Sequence, residues 1–259
     1  MTNLMTLRPL NGTVAQLTAR SLLGRKRTVL LSLLPLALLA LCALARILGS
    51  LDPGIADELQ GPLAADLLGA FGIAIMMPLL GLIAGTGSIG PEIDEGSIVY
   101  LLAKPLNRYS IVVTKLVVAI GVVIAFGAVP VFVAGVVLTG EVGSVAIAYA
   151  VGALAAGVAY SAVFLMLAVI TRNAVVVGLI YALIWESLVG GLVPGAQALS
   201  IQQWATAVLK QVFGDGAYSL GIGAAVEFTT GLVALIVVTL AATGYAGRRL
   251  QTLRLNDDS

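Results

Sequence analysis

The chain has 259 residues, of which 59% are hydrophobic and 10% charged, with 14 Lys and Arg against 13 Asp and Glu for a net charge of +1. An ordinary soluble domain is about 45–50% apolar and about 25% charged, so a soluble core cannot absorb this much apolar surface, and the composition is that of an integral membrane protein. There is no histidine and a single cysteine, Cys42, which excludes Ser-His catalysis, histidine proton relays, cysteine or histidine metal clusters and an intrachain disulfide; nothing in the charge distribution suggests nucleic acid.

Residues 1–27 carry Arg8, Arg20, Arg25, Lys26 and Arg27 and no acid. Val14, Leu17 and Leu22 fall at helical spacing, which predicts a short helix lying in the membrane interface. Apolar runs of about twenty residues, the length that crosses a bilayer as a helix, then recur along the chain. The first, about 28–48, is too long and too strongly flanked for a cleaved signal and is expected to be retained. An acidic loop with Asp52, Asp57 and Glu58 follows, and the second span is expected at about 63–87, kinked at Pro78. Gly81 and Gly85 form a GxxxG pair in it, best read as close packing within the bundle.

Span 3 is expected at 109–138 with Pro130 inside it. Span 4, at 145–170, is rich in Gly and Ala and is expected at the centre of the bundle. After a tight turn at Thr171, Arg172 and Asn173 comes span 5 at 174–193. Residues 194–223 are too polar to span, and predict one or two short helices at the outer surface, with Trp204 at interface depth. Span 6, at 225–245, leads to a basic tail containing Arg248, Arg249 and Arg254.

The expected fold is therefore an all-α membrane protein forming one domain over 1–259, with six transmembrane helices. If both termini are cytoplasmic, twelve of the fourteen Lys and Arg lie inside, and only Arg46 and Lys210 lie outside. This agrees with the positive-inside rule. Arg46, near the outer end of span 1, is expected to snorkel to headgroups.

This topology puts the one long polar interruption, residues 88–115, in the cytoplasm. It holds the acids Glu92, Asp94 and Glu95, an amphipathic run from Gly96 to Ala103, then Lys104, Pro105, Arg108 and Lys115. No GK dipeptide occurs, so there is no Walker A loop, and no GxGxxG fingerprint opens a helix after a strand. An energised role would need a separate nucleotide-binding subunit, and that subunit would need a cytoplasmic surface to grip.

The run from Glu92 to Lys115, with its acid pair, Gly96, Ile98, Leu101, Leu102, Pro105, Arg108, Ile111 and Lys115, resembles the first cytoplasmic loop of the ABC-2 type permeases, membrane subunits of ABC exporters. The resemblance extends to the interfacial N-terminal helix, the six spans and the outer segment between spans 5 and 6. Trp185 and Glu186, followed by Leu192, Pro194, Gly195 and Leu199 to Ile201, are similar to a bacterial branch of the family.

The resemblance implies a coupling helix between spans 2 and 3, from about Pro91 to Ala103, that docks into a partner ATPase. Glu92, Asp94 and Glu95 would lie at its N-terminus, where acids favour the helix dipole. Ile98, Leu101 and Leu102 would supply the apolar face, and Arg108 belongs to the same motif. Arg172 would be either a second contact with the motor or a plain inside anchor. ATP and Mg would be bound by the partner and no cofactor by this chain. A second permease copy or a related permease would complete the pathway, and the location would be a bacterial cytoplasmic membrane.

Glu186 stands out as a carboxylate within a span, where charge is costly. It either faces the translocation path, sensing a cationic substrate or a proton, or is held in the bundle by Ser187, Tyr181 or a hydroxyl on another span. The second reading is preferred. The rival to an ABC permease is an ATP-independent secondary transporter or channel, which should show inverted repeats with broken helices; no internal repeat is visible. A membrane enzyme has no catalytic residues to call on.

Overall fold

The computed structural model describes residues 12–52, 54, 62–94, 107–189, 193, 195–214 and 221–252. In a bilayer an apolar run must satisfy its backbone within itself, and no strand occurs among the described residues. Helix α1 is Gly12–Leu22, α2 is Arg25–Leu51, and α3 is a continuous run made of Pro62–Ala64, Ala65–Met76 and Met77–Asp94. Helix α4 joins Arg108–Val123, Ile124–Ala128 and Val129–Thr139, and α5 is Ser144–Ile170. Helix α6 is Ala174–Ile180 continued by Tyr181–Val189, α7 is Ile201–Phe213 after a single turn at Ala196–Leu199, and α8 is Phe228–Thr252.

Five helices are long and apolar enough to cross a membrane: Arg27–Leu51, Ala65–Ile93, Arg108–Thr139, Ser144–Ile170 and Phe228–Gln251. Where the sequence predicts span 5, the apolar helix Ala174–Glu186 is shorter. The chain is thus a multi-pass membrane protein with five full-length candidate spans among its described residues and one shorter apolar helix.

The bundle has two ends. Helix α3 finishes and α4 begins at the near end, where Arg108 of α4 also reaches Leu250 of α8. At the far end α4 turns into α5 through Gly140, whose φ of 80° is one that glycine adopts without strain. A Cβ there would stand 2.7 Å from a guanidinium nitrogen of Arg46.

Two of the long helices widen just ahead of a proline. In α3 the stretch Ala65–Met76 closes wide turns, ending with the Met77 N–H bonded to Gly72 O, and Pro78 follows. In α4 the stretch Ile124–Ala128 does the same, with the Val129 N–H on Ile124 O ahead of Pro130. Proline lacks an N–H and crowds the carbonyl four residues back, and a wider turn relieves both problems. Pro78, where the sequence predicts a kink, directly follows the first of these wide stretches.

Helix α5 is central, with 61% of its span buried against 28% for α2 and 17% for α8. Its small residues let α3 approach closely. Gly85 of α3 is so near that a Cβ would lie 2.8 Å from Ser161 O and 2.9 Å from Leu165 N. The GxxxG pair therefore packs within the chain, as its sequence reading has it. Helix α7 lies against α5, with Leu209 over Gly152, and against α8, with Trp204 over Gly231. Helix α1 buries Val14, Thr18 and Leu22 on one face.

Three sequence expectations need correction. Residues 91–94 do not open a separate helix at Pro91, because they continue α3 without a break. The last span, expected to end at Tyr245, continues to Thr252. Arg46 does not simply reach for headgroups, since its Nη1 donates to Leu138 O at 3.2 Å.

Candidate coupling end and the buried carboxylates

Lys115 lies in the second turn of α4 and is fully buried. A buried ammonium must spend all three of its donors. Its Nζ donates to Glu92 Oε1 at 2.7 Å, to Ser88 O at 2.6 Å and to Thr18 Oγ1 at 3.3 Å. Thr18 is itself fully buried on α1. One side chain thus joins α1, α3 and α4 at the near end.

Pro91 explains a second contact. Without an N–H it leaves the carbonyl of Gly87, four residues back, without its usual helical partner. Arg27 Nη1 donates to that carbonyl at 3.2 Å. Arg108 Nη1 donates to Leu250 O near the end of α8 at 3.0 Å, and the Arg46 bond to Leu138 O completes the set. Leu138 is in the last turn of α4, where a carbonyl lacks an intrahelical donor, whereas the Gly87 carbonyl is freed by Pro91. Arg27, Arg46 and Arg108 act as cross-helix caps.

Glu92 and Lys115 are the only pair from the polar interruption that the described residues bring into ionic contact. Arg108 is in the first turn of α4, and Arg172 is exposed in the turn after α5. Arg172 shares a cleft at the near end with Arg27, Gly90 and Pro91. Glu95, Ile98, Leu101 and Leu102 lie outside the described residues, and so does the side chain of Asp94. The buried Lys115 was legible as a signal: a lysine set among Val112, Val113, Leu116 and Val117 needs a partner, and Glu92 is one of the acids that shortly precede α4.

Glu186 is fully buried in the second half of α6. Its Oε1 accepts from the Tyr181 hydroxyl at 2.8 Å and the Ile201 N–H at 3.1 Å. Its Oε2 accepts from the Ser200 hydroxyl at 2.6 Å and the Gln202 N–H at 3.3 Å. The two backbone donors are the first N–H groups of α7, a helix end that favours an anion. Ser200 also caps α7, accepting from the Gln203 N–H, and Trp204 Nε1 donates to Ala198 O. Tyr181 was among the expected donors. Ser200 and the α7 backbone were not, because they lie beyond the next turn, and the Ser187 side chain is outside the description.

These features belong to a known kind of chain. The family of ABC-2 family transporter proteins matches residues 12–255. The chain belongs to the ABC-2 transporter family. Comparison with curated proteins and with solved structures returns no match. As an ABC-2 transporter family member, the chain is a membrane transport component, and membership implies pairing with an ATP-binding cassette subunit. The matched stretch runs from α1 to beyond α8, and includes the Lys115 cluster, the Glu186 socket and the segment 95–106.

Proposed function

We propose that this chain is the membrane-spanning permease subunit of an ATP-binding cassette exporter, in which a separate ATPase drives alternating access. Family membership over residues 12–255 carries this reading. The near end faces the cytoplasm, an orientation supported by the twelve Lys and Arg that the sequence assigns to it. Six crossings, with α6 as the short fifth, place α1 in the inner interface and α7 at the outer surface. A second copy or a related permease completes the pathway.

Segment 95–106 is the coupling element, gripped by the ATPase through Glu95, Ile98, Leu101 and Leu102, with Asp94, Arg108 and Arg172 at its margins. The Lys115–Glu92 pair supports this assignment, because it joins the two helices that flank the segment. Glu186 acts as an anchor of α7. Its four donors leave it no need of a cationic cargo, and no observation favours an ATP-independent mechanism.

Co-expression with the products of its neighbouring genes, followed by purification in detergent and assay of ATPase activity, tests the reading. Wild type should bring down an ATPase, and Glu95→Arg should lose it. If neither form retains an ATPase, the exporter reading fails. If Glu95→Arg retains it fully, segment 95–106 is not the coupling element.

A further inference from the structure

A cleft of about 570 Å³ opens at the near end between the first turns of α2, the last turns of α3 and the 171–173 turn. That volume is within the range of sites that hold small ligands. Its polar part is cationic, with Arg27 and Arg172 beside Asn173, and its apolar part includes Leu30, Val175 and Val176.

The depth of these residues is set by the spans. Arg27 opens the apolar run of α2, and Arg172 follows α5, whose span ends at Ile170. Both guanidinium-bearing residues therefore sit where spans leave the hydrocarbon, at headgroup level. Leu30, Val175 and Val176 are 51%, 57% and 59% exposed, so the apolar wall opens sideways onto the perimeter of the bundle, where acyl chains run.

Among the described residues neither arginine is in an ion pair. Arg27 gives one N–H to Gly87 O, and a guanidinium has five. Two cations beside an apolar wall suit an amphipathic anion. A free phosphate would engage the arginines and leave the wall unused, and a zwitterionic headgroup would bring its own ammonium against them.

We propose that this cleft is a binding site for an anionic phospholipid, its headgroup phosphate held between Arg27 and Arg172 and an acyl chain laid along Leu30, Val175 and Val176. The lipid ties the start of α2 to the start of α6 beside Pro91. The site goes beyond the transport reading and does not depend on an ATPase being bound.

Native mass spectrometry of the purified full-length protein tests it, with phosphatidylglycerol, phosphatidylcholine and inorganic phosphate as separate probes. Wild type should retain phosphatidylglycerol over phosphatidylcholine. Arg172→Gln should lose about fivefold of that preference, the contribution of one basic residue near an anionic headgroup. Val176→Trp, which fills the apolar part, should weaken phosphatidylglycerol binding as well. Arg248→Gln, an exposed site on α8 outside the cleft, should leave the preference unchanged. Equal binding of both lipids by wild type would overturn the proposal. So would an equal loss in Arg248→Gln, which would indicate diffuse basic attraction, or displacement of phosphatidylglycerol by inorganic phosphate, which would indicate a free-anion site.

Discussion

Glu92 and Glu186 are both carboxylates embedded among helices, yet they are held by opposite kinds of partner. Glu92 faces a buried cation, and is itself 28% exposed at the near end. Glu186 is fully enclosed and accepts from neutral donors, two hydroxyls and two backbone N–H groups. An ion pair at a water-accessible edge can part and exchange its partner for water. A carboxylate whose four donors are fixed to a helix start has no such alternative. The near end is thus built with a separable joint, and the α6–α7 corner with a fixed one.

Substitution at the fixed joint should have the largest effect. Glu186→Leu would strand the first N–H groups of α7 and two hydroxyls. Hydrogen bonds to a charged group contribute about 1.5–3 kcal/mol each, and a buried donor left unpaired costs about 1–3 kcal/mol. The expected loss is on the order of 4 kcal/mol, read as a large drop in the thermal unfolding midpoint in detergent. Glu186→Gln should recover only part of it, since its amide turns two donors toward groups that also donate. Full stability in Glu186→Leu would show that the corner does not depend on the carboxylate.

Lys115→Met comes next. It removes the cation beside Glu92, a carboxylate that is 28% exposed and can turn to water, so the loss should be about 2–3 kcal/mol, below the range for a wholly buried pair. The double variant Lys115→Met with Glu92→Leu should recover much of the loss, because an apolar pair of similar volume replaces an ion pair at little cost. A double variant no better than Lys115→Met alone would remove the pairing from the account.

The smallest effect is expected for Arg46→Ala. It removes one cross-helix bond to Leu138 O, and such bonds in membrane proteins average about 0.6 kcal/mol. A loss comparable to that of Lys115→Met would make the arginine caps principal supports of the bundle rather than local repairs.

The spans were legible because apolar runs of bilayer length have few other fates, and the centrality of α5 followed from its small residues. The stretch around Pro91 was misread for a definite reason. Pro91 and the acids after it look like a helix start, but Arg27 satisfies the carbonyl that Pro91 frees, and Lys115 offsets Glu92. Both compensations come from positions more than twenty residues away in sequence. The Glu186 socket was half legible. Tyr181 is one helical turn away and was expected, whereas Ser200 and the α7 backbone arrive through a corner whose geometry no local pattern encodes. The wide turns before Pro78 and Pro130 are likewise a tertiary accommodation of a residue that by itself says only that the helix is disturbed.

Chemical cross-linking gives the most direct test of the central claim, that the ATPase grips the segment between α3 and α4. Cys42 is the single cysteine and is buried, so Cys42→Ser provides a background in which one new cysteine reports one place. In that background Leu101→Cys, labelled with a maleimide that carries a photoactivatable benzophenone, should cross-link to a co-expressed ATPase, and Val142→Cys, exposed in the far-end turn, should not. A cross-link from Val142→Cys with none from Leu101→Cys would place the motor on the opposite end and contradict the account.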